Sequence, residues 1–133
     1  MDKDLCLELA RYRLDKARDC IKSAQLNLEN GLYTDSANRS YYAIFHSIRA
    51  VMALDGEDRK KHSGVMAYFQ ERYVKSGIFE REYSKIIQRA FEIRQESDYE
   101  DFYIIIKEDV VSQIEDAKCF YEKVNEYINT RAE

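Results

Sequence analysis

Residues 2–31 read DKDLCLELARYRLDKARDCIKSAQLNLENG, and this stretch decides the fold. Ala10, Leu14, Ala17, Ile21, Ala24 and Leu28 recur at spacings of 4, 3, 4, 3 and 4. That period, close to 3.5, puts the six side chains along one seam of an α-helix. The residues between them are mostly Lys, Arg, Asp, Gln and Asn, as expected of a solvated face. The pattern predicts one helix from about Asp2 to Glu29, stopped by Asn30-Gly31.

The rest of the chain supports a helical reading. Its 133 residues include no proline and four glycines, Gly31, Gly56, Gly64 and Gly77. Average proline usage is about 5%, and Pro and Gly cost most inside helices. An all-β protein, rich in Gly/Pro turns, is disfavoured. Further helices are predicted from Thr34 or Asp35 to Leu54, from a Ser63 N-cap to Ser76-Gly77, from Glu80 to Ser97 and from Lys107 to Asn129. Between the last two, the segment around 98–106 is acidic and aromatic and is left unassigned. In the last helix Val110, Ile114, Ala117, Tyr121, Val124 and Ile128 repeat the 4, 3, 4, 3, 4 spacing. The first and last helices are therefore expected to pack on each other. The fold class is all-α: one domain, residues 1–133, forming a bundle of four to five helices.

Charged residues are 35% of the chain and the net charge is −4, so overall charge gives no nucleic-acid signal. There is no run of eighteen apolar residues, and no membrane association is expected. The acidic start Met1-Asp2-Lys3-Asp4 lacks the apolar core of a signal peptide. Cys6, Cys20 and Cys119 are odd in number and widely spaced, which fits free thiols in a reducing cytoplasm. With only two histidines, a protein-built metal site is not expected, and no motif implies a cofactor.

Function is sought where helical patterning is broken. At 100° per residue, Ala37, Tyr41, Ile44, Phe45, Ile48, Val51 and Met52 form the apolar face of the second helix. Asp35, Arg39, Tyr42, His46 and Arg49 form a stripe opposite, and no Lys or Glu occurs from Tyr33 to Leu54. The stripe is either a cleft floor offering guanidiniums, a phenol and an imidazole, or a contact face for neighbouring helices or a second subunit. On the fourth helix, Arg94 and Asp98 form an i, i+4 pair at the end of an apolar stripe of Tyr83, Ile87, Ala90 and Phe91. Such a pair is either structural or a fork held ready for phosphate. The basic loop Asp58-Arg59-Lys60-Lys61-His62-Ser63-Gly64 precedes a helix start and offers Lys61 and His62 to an anion. Tyr41, Tyr42, Tyr99 and Tyr103 are candidates for stacking on bases or for packing.

Four segments, in order, carry a resemblance: Arg39-Ser40-Tyr41-Tyr42-Ala43-Ile44-Phe45-His46, Lys61-His62-Ser63-Gly64-Val65, Tyr73-Val74-Lys75-Ser76-Gly77, and Phe91-Glu92-Ile93-Arg94-Gln95-Glu96-Ser97-Asp98-Tyr99-Glu100-Asp101-Phe102. From about Ala10 to Tyr127 the chain resembles the HEPN domain family of prokaryotes. More narrowly, it is similar to small stand-alone HEPN proteins encoded beside a minimal nucleotidyltransferase. The resemblance implies an up-and-down bundle that works as a homodimer with a polar cleft, and a nucleotidyltransferase partner acting as antitoxin. In the family's ribonuclease branch, a motif of Arg, four to six intervening residues and then His cleaves RNA without metal. Arg94 matches that arginine, but Asp98-Tyr99 stands where the histidine is expected. Arg39 and His46 satisfy the spacing formally, yet lie roughly 10 Å apart along another helix.

The leading expectation is a nucleotide- or RNA-binding HEPN protein in a toxin–antitoxin-like pair. His46, Arg94 and Asp98 are the candidates for chemistry. Arg39, Tyr42, Arg49, Lys61, His62 and Tyr99 are the candidates for ligand contact. The alternatives are a metal-independent endoribonuclease toxin and a structural interaction subunit without ligand.

Overall fold

A computed structural model describes residues 2–132. Met1 and Glu133, the ends of the expected domain, lie outside the described residues. The helices are α1 (Lys3–Glu29), α2 (Tyr33–Leu54), α3 (His62–Phe69), α4 (Arg81–Tyr99) and α5 (Lys107–Ala132). A π-helical turn, Gln70–Val74, extends α3. The fold is an all-α bundle, as the spacings predict.

Helix ends follow local chemistry. The Asp2 carboxylate accepts the Asp4 N–H at 2.9 Å and caps α1. Gly31 and Gly56, with φ of +75° and +73°, end α1 and α2 in the left-handed region that suits glycine. The start of α3 differs from the Ser63 cap expected above. His62 is already helical, and Lys61, in an extended conformation, precedes it without a side-chain cap. What fixes this start is the His62 ring, stacked on Phe45 of α2 at 4.0 Å between centroids. The unassigned segment resolves into two parts: Asp98 and Tyr99 complete α4, and residues 100–106 are irregular. Ile105 anchors them in a small apolar cluster with Ala24, Ala37, Val110 and Ile114.

The seams of α1 and α5 are buried except at Leu28 and Tyr121, which are half-buried, but their main neighbour is α2, with a smaller direct contact between the two. The reason lies in a third face of α2. Ser36, Ser40, Ala43, Ser47 and Ala50, each 0% exposed, fall between its apolar face and its polar stripe. The Ser36 hydroxyl donates to the Ala24 carbonyl of α1 at 2.7 Å, so this small-residue face meets α1. Small side chains let two helices approach closely, and dispersion rises with that closeness. With α1 on one side and α5 and α4 on the others, only the polar stripe of α2 stays half-open.

The remaining core is aromatic. Phe69, Tyr73, Phe79, Tyr83 and Phe120 pack with centroids between 5.1 and 6.4 Å, mostly edge-to-face or tilted. They lock the α3 segment onto α4 and α5. Cys6 and Cys20 are buried and Cys119 is exposed, all as free thiols. Among the described residues, no helix is long and apolar enough to cross a membrane.

Candidate functional site

The stripe on α2 fans across two environments. At 100° per residue, Arg39 and His46 lie on the flank toward α1, while Tyr42 and Arg49 lie toward α3 and α4. The side chains follow that division. Tyr42 meets Arg94 of α4, whose Nη2 approaches the Tyr42 hydroxyl at 3.4 Å. The Arg94 guanidinium also lies over the ring of Tyr41 at 4.6 Å and that of Tyr42 at 5.4 Å. Its Nη1 is 3.3 Å from His62 Nδ1, and the Tyr41 hydroxyl is 3.1 Å from the same nitrogen. Three separate elements thus bring Arg94, His62, Tyr41 and Tyr42 into one cluster.

Asp98 completes it. Its Oδ2 lies 3.4 Å from Arg94 Nε, with side-chain exposures of 20% for Arg94 and 29% for Asp98. The contact is an ion pair without hydrogen-bond alignment: Nε of Arg94 is buried and has no hydrogen-bond partner. A buried donor left open costs free energy until a ligand or water fills it. Burial works against the Arg94 charge, but the surrounding Tyr41, Tyr42 and Asp98 oxygens outweigh it and push its pKa up. Burial is also the main cause of the raised Tyr41 pKa. For His62, burial first and then the Arg94 and Arg49 charges push the pKa below its usual value. A cationic fork, a neutral imidazole and two phenols therefore face one another.

The other expected residues are placed as follows. Arg39 lies over the Tyr42 ring at 5.1 Å, on the side chain that also meets Arg94, and donates to Asn38 Oδ1 at 2.9 Å. His46 is near the rings of Tyr42 and Phe45, at 6.1 and 5.8 Å. Burial, then Lys16, Arg49, Arg39 and Arg13, lower its pKa to about 4, so it is neutral near pH 7. Arg49 is engaged by Asp58, with Nη2 at 3.2 and 3.1 Å from the two carboxylate oxygens. Lys61 is exposed, and Tyr99 is 70% exposed at the end of α4. Arg94, Asp98, Tyr42 and His62 thus converge; Arg39 and His46 adjoin them at the Tyr42 ring; Arg49 acts on His62 through its charge but is engaged by Asp58; and Lys61 and Tyr99 are exposed.

Two open depressions flank the cluster. One, of about 430 Å³, is lined by Arg49, Asp58, Arg59 and Lys60. The other, of about 330 Å³, is largely apolar and runs past Ser63, Met66, Ile87 and Phe91. A third, at the far end of the bundle, contains the Arg131–Asp55 pair and touches none of these residues. Among the described residues, no group of three or more His, Cys, Asp or Glu is placed to hold a metal ion.

Tyr41, offered by the sequence for stacking or for packing, takes the packing role with its ring and adds a polar contact that periodicity does not show. It is 0% exposed, yet its hydroxyl holds His62. The pairing of His62 with Arg94 is likewise invisible to helix spacing, since 32 residues separate them. The available signal was that both lie in the short segments carrying the family resemblance.

Comparison with known proteins agrees with that resemblance. The model of the HEPN domain matches residues 10–127. A UPF0332 protein of Thermotoga maritima is 33% identical over 91% of this chain and 92% of its own length. A UPF0332 protein of Archaeoglobus fulgidus is 32% identical over 88% of this chain and 93% of its own. A Methanocaldococcus jannaschii protein named "Putative toxin MJ0605" is 34% identical over 74% of this chain and 73% of its own. The family match over most of the chain, a near full-length relative and the helical bundle lead to one conclusion: this chain belongs to the HEPN domain family.

Proposed function

We propose that this chain binds nucleotide or RNA phosphate through Arg94 and works as the HEPN partner of a nucleotidyltransferase in a toxin–antitoxin-like pair. The observation that carries the reading is the Arg94 fork, oriented by Asp98, flanked by His62 and Tyr42 and retaining an unpartnered buried Nε. A guanidinium is the side chain best matched to phosphate oxygens, and part burial strengthens the contact by lowering the local dielectric. The Tyr42 ring and the apolar groove beside Phe91 are suited to a base or ribose. Relatives named as toxins support the toxin side of the pair. The homodimer is supported by exposed apolar side chains around the end of α4: Phe91, Phe102, Ile104 and Ile106. Titrating labelled ATP and short RNAs against wild type and Arg94→Ala tests the reading. Equal binding by both proteins removes Arg94 from the site.

A second reading, a metal-independent endoribonuclease, is favoured by one observation. The family's histidine is missing after Arg94, but His62 brings an imidazole to 3.3 Å from it. An imidazole is suited to moving the 2′-hydroxyl proton, and Arg94 to steadying charge on the phosphorane. This reading predicts cleavage that persists in EDTA. His62→Ala and His46→Ala, assayed side by side, assign the imidazole, with loss at His62 expected from the geometry.

A further inference from the structure

The contacts at His62 Nδ1 constrain its chemistry. Arginine has only donors, so an Arg94 N–H at 3.3 Å from Nδ1 requires that nitrogen to be an acceptor. The Tyr41 hydroxyl, 3.1 Å from the same atom, supplies a second donor. In the free site the proton of the neutral imidazole therefore sits on Nε2. Phe45, stacked on the ring at 4.0 Å, holds its plane. A phosphate engaging Arg94 changes both conditions. It draws the guanidinium off Nδ1 and offsets its charge. The Tyr41 hydroxyl, able to accept as well as donate, then accommodates a protonated Nδ1.

We propose that His62 is a proton-carrying phosphate ligand, neutral in the free site where it is part-buried with Arg94 against Nδ1, and converted to imidazolium when a phosphate takes Arg94. The inference rests on the phosphate-binding reading above and adds a residue, a protonation state and a stoichiometry to it. One proton is taken from solvent for each phosphate bound, and no covalent bond forms or breaks. The groups facing His62 are Tyr41, Tyr42 and Arg49 from α2, and Arg94 with its partner Asp98 from α4; Lys60 and Lys61 precede it in its own segment. The free-site pKa is lowered by burial and then by Arg94 and Arg49, so withdrawing the Arg94 field raises it. Phosphate affinity therefore increases as pH falls between the bound and free pKa values, with a limiting slope of about tenfold per pH unit for one proton.

The test uses an all-2′-deoxy tetranucleotide. Its diester phosphates do not titrate near neutral pH, and it has no 2′-hydroxyl through which to be cleaved. Imidazole ¹⁵N signals of wild type are followed during titration at pH 7; with only two histidines in the chain, His62→Gln assigns both sets. The expected result is an acceptor-type Nδ1 at His62 in the free protein, moving to the imidazolium shift at saturation. Binding should strengthen toward pH 6 in wild type and lose that dependence in His62→Gln. Oligonucleotide binding that needs Arg94, yet leaves His62 neutral and is flat with pH, overturns this inference alone. Binding unchanged in Arg94→Ala, or absent altogether, overturns the phosphate-site reading itself.

Discussion

Replacing Arg94 by Ala separates a structural role from a binding role, because the two losses differ in size. In the folded protein Arg94 lies over two rings at 4.6 and 5.4 Å. Each partly desolvated contact of this kind is worth about 0.5–1 kcal/mol. Its ion pair with Asp98 is partly exposed and adds about 0.5 kcal/mol. The 3.3 and 3.4 Å contacts to His62 and Tyr42 sit at the long limit for hydrogen bonds and add little. Asp98, left behind, remains hydrated. The stability loss is therefore about 2 kcal/mol, or a fall in Tm of about 8 °C for a chain of this size. For a bound phosphate, the fork supplies charge-assisted hydrogen bonds whose joint loss costs about 3 kcal/mol, a weakening of about 150-fold. Arg94→Lys keeps the charge and loses the fork, so it should fall between the two. Differential scanning fluorimetry and fluorescence anisotropy with a labelled short RNA measure both quantities on the same samples. A Tm fall of the expected size, with affinity within twofold of wild type, refutes the binding role and leaves Arg94 a structural residue.

Other consequences follow from the same packing. Ala43→Leu pushes a branched side chain into the close α1–α2 contact and should cost about 1–3 kcal/mol in urea unfolding; an unchanged midpoint would mean that the contact is not tight. His46, neutral in the fold down to about pH 4, lets the unfolded chain bind a proton first as pH drops below 6.5. Stability should thus decline from pH 7 to pH 5, and less steeply in His46→Gln; parallel profiles would exclude His46 as the source. In the proposed homodimer, Phe102→Ser combined with Ile104→Ser should yield monomers in light scattering, since these side chains are 100% and 82% exposed in the single chain. A variant that remains dimeric places the interface elsewhere.

Much of the fold was legible because one period recurs. Ala10, Leu14, Ala17, Ile21 and Ala24 are all buried, as are Val110, Ile114, Ala117, Val124 and Ile128. Periodicity shows which face is buried but not what buries it. That is why the α1 and α5 seams pointed to each other while the larger partner of each is α2. Its Ser36, Ser40 and Ser47 read as polar residues, yet they line a close helix contact. The candidate site was legible in its parts. Arg94, Asp98, Tyr42 and His62 each stood out as a polar group on an unusual face or in a basic loop. Their convergence was not, because it depends on how α3 lies across α2 and α4. That placement is set by Phe69, Tyr73, Phe79 and Phe120, none of which is part of the site. His46 stood out on the same helix as Tyr42, but 40° of helical rotation turns it toward the α1 cations.

Phosphate received at Arg94 has to be felt first at its guanidinium. The most direct test follows the arginine Nε–H signals of ¹⁵N-labelled protein during titration with ATP and with a short RNA. Arg94 Nε is buried and has no hydrogen-bond partner, so filling it should move its signal strongly. This signal should shift and saturate together with the backbone amides of His62 and Tyr42. Saturable shifts confined to other positions, such as the Arg131 end of the bundle, with Arg94 unmoved, would contradict a phosphate site there.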